Sequence, residues 1–311
     1  MSPHEVSRRA VLAGAAALLA TPASARPKLK VSIFSKHLHF VEGAELAKAT
    51  SDLGFDGVDL TVRKGGHIAP ERVKETLPGL VKTLRAQGLE VPMITTDIVD
   101  ADTPFAEDMI RTAAESGIRH YRFGGFKYSA DKPVAAQLDS FKPRLEKLAK
   151  LNAKYQATAM YHTHSGVGLV GAPIWDLYIV MKDLDPKLVG INYDIGHATI
   201  EGGLGGWIAS LRIAGRHLRG IAVKDCVWAK DAKGEWKDKW CPIGEGMVKL
   251  DQFFGLVQTT DFDGPVQVHY EYPLGGANGG ARTITIPKEE VFAAMKKDLV
   301  RTRALMAAVN L

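Results

Sequence analysis

Histidines and acids recur where short apolar runs of the chain end. Seven of the ten histidines lie at or just beyond such ends, namely His37, His39, His67, His162, His164, His197 and His269. Asp194 ends the run at residues 189–194, and Glu271 follows the run at residues 265–270. Imidazole and carboxylate groups together can move protons or ligate a divalent ion. The chemistry of this chain is therefore expected at the ends of its apolar runs.

Eight of these runs alternate with segments whose apolar residues have helical spacing. Strands are predicted at residues 30–35, 57–62, 90–95, 118–124, 157–162, 189–194, 220–225 and 265–270. Helices are predicted at residues 43–53, 70–87, 104–116, 133–155, 173–184, 204–214, 250–259 and 287–308. This alternation predicts an α/β fold, a (β/α)8 TIM barrel formed by residues 29–309 as a single domain. A doubly wound sheet is the competitor, but residues 35–39 lack its usual glycine-rich turn.

A barrel brings the carboxyl ends of its strands to one rim, where active residues lie. Side-chain alternation lets several side chains converge on Asp194, namely His162 or His164, Lys224 and Glu271. The imidazole of His162 or His164, with the carboxylates of Asp194 and Glu271, predicts a site for a divalent metal, Mn²⁺, Co²⁺, Zn²⁺ or Mg²⁺. Lys224, His164 and Glu271 are the predicted catalytic acids and bases. A salt bridge from Asp194 or Glu271 to Lys224 or Arg122 is the structural alternative.

Substrate contacts are predicted from cations, histidines and an aromatic residue near the same rim: His37, Arg63, His67, Arg122 and Trp228. Trp228 is one of three tryptophans in residues 227–246, a stretch too long for a plain connection. Their indoles are either a platform for a sugar ring or packing on the barrel rim. Glycine-rich residues 275–280 predict a mobile flap. The sequence has no evident glycine-rich phosphate turn, which favours a neutral sugar over a sugar phosphate.

The first 25 residues have the pattern of an export signal. Arg8 and Arg9 precede an uncharged stretch and an Ala-x-Ala ending at Ala25, which is typical of a twin-arginine signal peptide at residues 1–25. We therefore expect a periplasmic protein without stable membrane insertion after cleavage. The net charge is +5 with scattered cations, so a nucleic-acid partner is not expected. Cys226 and Cys241 either pair in that compartment or stay reduced.

Several motifs together carry a family resemblance. They are residues 54–60 (GFDGVDL), 161–166 (YHTHSG), 194–197 (DIGH) and 223–225 (VKD), together with Glu271. Over about residues 29 to 305, the chain resembles the xylose isomerase-like TIM barrel superfamily. That superfamily contains sugar phosphate isomerases and epimerases, inosose dehydratases and endonuclease IV. Endonuclease IV is disfavoured because the sequence lacks its larger cluster of zinc-ligating histidines and glutamates.

The resemblance implies one divalent metal, held by Glu, Asp, His and Glu at the ends of strands five to eight. Asp194 and Glu271 match the second and fourth of these ligands. His162 stands where the first Glu is usual, as in inosose dehydratase-like members. His197 resembles the histidine that contacts substrate in the family.

One ligand of this family pattern is missing. Ala222 occupies the position at which the third ligand, a histidine, is expected. Either His164, His269 or water completes a modified site, or Lys224 takes part directly without a metal.

The sequence therefore predicts an enzyme that acts on a small sugar or cyclitol. The leading interpretation is an isomerase or epimerase that abstracts a proton next to a carbonyl with the assistance of a metal. The first alternative is a lyase, either a dehydratase or an enzyme that eliminates from a keto-glycoside. The second alternative is a non-catalytic sugar-binding barrel, which the loss of a ligand at Ala222 would permit. Assembly into an oligomer is compatible with the sequence.

Overall fold

The computed structural model describes residues 28–311, and the predicted signal peptide lies outside the described residues. The strands are β1 (Val31–Phe34), β2 (Gly57–Val62), β3 (Glu90–Thr96), β4 (His120–Phe123), β5 (Thr158–His162), β6 (Val189–Asp194), β7 (Leu218–Val223), β8 (Asp225–Lys230), β9 (Trp236–Cys241) and β10 (Val266–Val268). All except β8 and β9 close into a barrel in the order β1-β10-β7-β6-β5-β4-β3-β2. Neighbouring strands of this barrel are parallel. The predicted TIM barrel fold is confirmed.

The helices lie between these strands. They are α1 (Gly43–Leu53), α2 (Val73–Ala86), α3 (Ala106–Glu115), α4 (Val134–Tyr155), α5 (Trp175–Met181), α6 (Ile195–Gly202), α7 (Gly206–Ala214), α8 (Leu250–Gln258) and α9 (Lys288–Ala307). The sequence pattern predicts α7 but not α6, because Gly196 and Gly202 weaken the helical periodicity of a segment only eight residues long. Within residues 28–311, no helix is both long and apolar enough to cross a membrane.

The interior of the barrel contains polar side chains that bond to one another. β2 and β6 are buried at every residue, as expected for strands with helices outside and a packed barrel inside. Asn192 on β6 donates to Gln267 on β10 over 2.9 Å. A side chain at Gly220 would place a Cβ 2.9 Å from Asn192 Oδ1 and from Met160 Sδ. Glycine at this position therefore leaves the space that the amide of Asn192 occupies.

The tryptophan-rich stretch after β7 forms a hairpin instead of an irregular loop. β8 and β9 pair antiparallel, with Cys226 opposite Trp240. The buried carboxylate of Asp225 accepts hydrogen bonds from four backbone N–H groups, those of Cys226, Gly244, Gly246 and Val248. These bonds fix the base of the hairpin next to the rim of the barrel. Cys226 and Cys241 are both free thiols.

Candidate active site

Four buried polar residues meet at the carboxyl ends of consecutive barrel strands. His162 is the last residue of β5 and Asp194 the last of β6. Lys224 follows β7 directly, and His269 follows β10 directly. None of the four side chains is more than 6% exposed. The strand ends therefore bring residues that are distant in sequence to one point of the rim.

Asp194 is at the centre of this group. Its Oδ2 atom lies 3.2 Å from Lys224 Nζ, 3.7 Å from His162 Nε2 and 3.9 Å from His269 Nδ1. Its Oδ1 atom caps α6 by accepting the backbone N–H of His197 over 3.0 Å. Burial raises the pKa of Asp194, and the positive charge of Lys224 opposes that rise. The carboxylate is thus fixed by α6 and faces three nitrogen atoms.

Lys224 is held on several sides. Its Nζ atom lies 2.7 Å from His197 Nε2 and 4.1 Å from the centre of the Trp240 ring. An ammonium group has only donors, so Nε2 accepts and the His197 proton is on Nδ1, which donates to Ser165 Oγ over 2.7 Å. Burial and the charge of Lys224 keep the pKa of His197 well below its usual range. A neutral histidine and an indole face therefore position the ammonium beside Asp194.

A chain of amides orients His162. The side chain of Gln267 donates to the carbonyl of Pro265, so its Oε1 atom accepts from Asn192 Nδ2 over 2.9 Å. The same Asn192 nitrogen lies 3.3 Å from His162 Nδ1, which is therefore an acceptor. Burial keeps the pKa of His162 well below its usual range. The neutral ring consequently carries its proton on Nε2, toward Asp194.

Three residues of the group could hold a metal ion. In the described part of the chain, ligand atoms of His162, Asp194 and His269 lie within 4.8 Å of one another. His269 Nε2 is buried without a hydrogen-bond partner, and two imidazoles with one carboxylate suit Zn²⁺, Co²⁺ or Mn²⁺. These residues therefore fit a divalent ion by type and spacing. Such an ion would compete with Lys224 for Asp194 and displace the Nε2 proton of His162.

Two positions depart from the family's ligand pattern. Ala222 pairs in register with Asp194 on β6 and with Gln267 on β10. Its methyl side chain has no atom that could ligate a metal. Glu271 lies outside the group of three donors, since its carboxylate holds Lys36 Nζ at 3.0 and 3.2 Å. Burial alone would raise the pKa of Glu271, but Lys224 and Lys36 outweigh it and set the pKa at about 2. The structure places His269, not Glu271, next to the other two donors.

His164 lies beyond the end of β5 and is exposed at the rim. Its ring centre is 3.7 Å from that of His197. His164 Nδ1 donates to the carbonyl of Ser165 over 2.7 Å, so in the neutral ring Nε2 keeps a free lone pair. Desolvation lowers the pKa of His164. This histidine is therefore available as a base at neutral pH.

A cavity of about 420 Å³ opens beside the buried group. Its lining includes His162, His164, Arg63 and Arg122. Asp97 is the acidic residue of this lining. The cavity is large enough for a small sugar and gives it access to the rim residues.

Three predicted substrate contacts have other surroundings. His37 is fully buried, where its Nε2 accepts the backbone N–H of Tyr270 and its Nδ1 contacts the carbonyl of Ala277. His67 bonds to Thr61 and to the carbonyl of Val41. The bonds of these two rings tie loops to the barrel. Trp228 is 41% exposed on β8.

Trp240, Ser165 and Gly196 contribute to the site, although the sequence analysis assigns no individual role to any of them. Trp240 reaches Lys224 only because the register of the hairpin places it at the rim. A Cβ at Gly196 would lie 2.7 Å from Lys224 Cγ and 2.9 Å from the Trp240 ring. The DIGH motif contains this glycine, but only the hairpin shows why the space is needed.

Adding one methyl group at Gly196 should misplace Lys224. Gly196→Ala forces the lysine stem and the indole to move away from the new methyl group, and a misplacement of about 1 Å at a reacting centre can cost about 10²-fold in rate. Turnover of the variant should fall by that order while its circular dichroism spectrum is retained. Gly79→Ala, at a helical glycine with open space around it, is the matched control. Equal turnover of Gly196→Ala and the wild type would show that the position of Lys224 is not critical.

Comparisons with known proteins agree with this architecture. The chain is similar to the IolI protein with a bound zinc atom (TM-score 0.69, 15% identity, covering 90% of this chain and 99% of that chain). It is similar to a D-tagatose 3-epimerase-like protein (TM-score 0.65, 16% identity, 90% and 99%). It is also similar to the probable 3-DHS dehydratase AsbF from Bacillus anthracis (TM-score 0.64, 17% identity, 88% and 99%). At these identities the likeness shows the fold alone.

Sequence comparisons give the family. No curated protein sequence matches the chain significantly. The sequence model of the xylose isomerase-like TIM barrel family matches residues 47–291, which is more than half of the chain. The chain therefore belongs to the xylose isomerase-like TIM barrel family, as the motifs at its strand ends indicate.

Proposed function

We propose that this chain is a sugar or cyclitol isomerase or epimerase that moves a proton on the carbon next to a carbonyl. The observation that carries the proposal is the position of Lys224. Its ammonium is buried beside Asp194, His197 and Trp240 at the rim of a family barrel. Structural neighbours that include an epimerase-like protein and a dehydratase support an enzyme of this kind.

The ammonium of Lys224 supplies the positive charge that the reaction needs. Removal of a proton next to a carbonyl places negative charge on the carbonyl oxygen. A donor already fixed at that oxygen stabilises the enediolate more than it stabilises the ketone. Asp194 and His197 engage two of the three N–H donors and the Trp240 face lies 4.1 Å from Nζ, so the third N–H is the donor proposed for the substrate. The proposed role of Lys224 is therefore to hydrogen-bond the carbonyl oxygen.

His164 is the proposed base. Its free Nε2 lone pair accepts the proton as the C–H bond breaks. Delivery of a proton from solvent to the opposite face of that carbon gives an epimer, with the abstracted proton released from His164 to solvent, and transfer of the proton to the former carbonyl carbon gives an isomer. His162 lines the same cavity as His164, so a substrate there can contact both the base and one member of the buried group. Glu271, kept ionised by its lysine neighbours, is proposed to accept hydrogen bonds from substrate hydroxyl groups.

A divalent ion would add to this chemistry when bound. His162, Asp194 and His269 are the residues that would hold it, and it would act as a Lewis acid toward substrate oxygens. The protein's own residues orient the substrate and carry the proton in the steps above.

A lyase is the second candidate, and the likeness to a probable dehydratase favours it. It needs the same abstraction next to a ketone. The difference is that the intermediate then expels a hydroxyl or glycosidic oxygen from the adjacent carbon instead of taking the proton back.

Exchange of substrate hydrogen with solvent tests the proposal. The protein should incorporate deuterium from D₂O into a ketose, an inosose or a 3-keto-glucoside, observed by NMR. New epimers or isomers would support the first candidate, and an unsaturated product would support the lyase. His164→Gln should exchange more slowly by about 10²-fold or more. Absence of exchange from the whole panel would contradict the proton-transfer function and favour a sugar-binding barrel.

A further inference from the structure

Two guanidinium groups at the cavity form no ion pair with any of the described residues 28–311. Arg63 follows the end of β2, Arg122 lies on β4, and both line the cavity beside His162. Their Cζ atoms lie 5.5 and 5.7 Å from the centre of the Phe34 ring. Neither side chain has a hydrogen bond or an ion pair with any residue between 28 and 311. A fixed pair of cations facing an open cavity is a receptor for an anion.

Asp59, Asp194 and Glu271 act on Arg122 through space, but the nearby acids have other direct partners. Asp59 is fully buried in the barrel interior, where it accepts from Thr95 Oγ1. Glu271 is occupied by Lys36. Asp97 lines the cavity, and its carboxylate accepts the backbone N–H of Lys64.

The two cations also influence each other. Burial and the charge of Arg63 lower the pKa of Arg122 to about 10. Two positive charges and the single negative charge of Asp97 leave the lining of the cavity with one net positive charge. A single negative charge on a ligand would balance it.

We propose that Arg63 and Arg122 bind the carboxylate of the substrate, which makes the substrate an acidic sugar or cyclitol. This assignment rests on the proposed function only in treating the bound anion as the substrate. A guanidinium fork matches a carboxylate in two parallel hydrogen bonds. Because His162 and His164 line the same cavity, a molecule whose carboxylate is held by Arg63 and Arg122 would have the rest of its atoms within the cavity that these histidines line. The expectation of a neutral sugar is thereby replaced.

Acetate is the first probe, because it presents a carboxylate without any sugar stereochemistry. Acetate titrated against chloride at constant ionic strength should shift the side-chain Nε resonances of Arg63 and Arg122 saturably. Arg122→Gln should weaken this binding by about tenfold or more, as loss of a charged hydrogen bond does. Arg63→Gln, at a position outside the strands, should weaken acetate binding by a similar factor. This second variant tests the site even if Arg122→Gln folds poorly. Arg212→Gln, at an exposed arginine on α7, should leave it unchanged.

Sugar acids are the second probe. Calorimetry should show that at least one hexuronate of a panel binds at least about tenfold more tightly than its parent hexose, with the difference lost in Arg122→Gln. Equal affinities for acids and parent sugars throughout the panel would overturn the proposal. Tighter binding of the corresponding hexose 6-phosphates, with the same arginine dependence, would overturn the carboxylate assignment in favour of phosphate. Acetate shifts that match those of chloride would overturn the anion site itself.

These binding measurements are independent of catalysis. Saturable acetate binding without any solvent exchange would retain the anion site and reject the proposed function. The opposite result is solvent exchange on neutral ketoses, no preference for acids, and acetate shifts that Arg122→Gln does not change. It would retain the proposed function and reject the anion site. The two proposals therefore fail in different experiments.

Discussion

Replacing Lys224 with methionine should slow solvent exchange of the substrate proton by about 10³-fold. Methionine keeps most of the volume of the lysine stem beneath Trp240 but removes the charge that stabilises the enediolate oxygen. The rate is measured by NMR in D₂O with the best substrate of the panel. Lys239→Met, at an exposed position of the same hairpin, is the matched control and should exchange at the wild-type rate.

The same substitution separates lysine chemistry from metal chemistry. Without the ammonium, Asp194 loses its ion pair, and breaking a buried pair typically costs about 3–5 kcal/mol. Rates are therefore compared only for protein that is shown to be folded. The loss of a competing cation should also strengthen Zn²⁺ binding at His162, Asp194 and His269, which calorimetry measures directly. Exchange that survives in Lys224→Met and becomes zinc-dependent would show that the lysine is not the group that stabilises the oxygen.

Strand periodicity predicts the part of this site that lies inside the strands. His162 and Asp194 end runs of buried residues, and the barrel rule places both at one rim. Their proximity follows from the fold alone.

The position of His269 relative to Glu271 could not be predicted in the same way. Side-chain alternation puts Gln267, His269 and Glu271 on one face of the strand. The sequence therefore does not decide which of the three lies level with Asp194 at the rim. The register decides among them, because Val268 pairs with Val223 and His269 follows directly. Register depends on the packing of the whole barrel, which a single strand of three residues does not encode.

Groups that reach the site from outside the barrel are the hardest to predict. Trp240 belongs to a hairpin whose strands lack regular alternation of apolar residues. Its place over Lys224 depends on the pairing with Cys226 and on the backbone bonds of Asp225. The carboxylate of Asp225 accepts four backbone N–H groups, three of them about 20 residues away in sequence. No local sequence pattern predicts such an arrangement. The space left by Gly196 has the same origin.

Asp59 should make the protein less stable as the pH rises from about 4 to 7. It is fully buried on β2, and burial raises its pKa to about 7, against the opposing hydrogen bond from Thr95. The unfolded chain releases this proton near its ordinary pKa of about 4. Between these values the folded state binds more protons than the unfolded state, so the free energy of unfolding falls with rising pH. A shift of about three units corresponds to roughly 4 kcal/mol.

Asp59→Asn removes this titration and keeps an oxygen that can accept from Thr95. The difference in unfolding free energy between the variant and the wild type should therefore change with pH in favour of the variant. The change should reach about 2–4 kcal/mol between pH 4 and pH 8 in urea titrations. Any free-energy cost of burying the amide of Asp59→Asn is the same at both pH values, so it does not affect this change with pH. Asp238→Asn, at an exposed residue of β9, should show no such pH dependence.

If the two variants had parallel profiles, Asp59 would have to be ionised in the folded barrel at neutral pH, with Arg63 and Arg122 as its counter-ions. Those arginines would then have less positive charge to offer a substrate carboxylate.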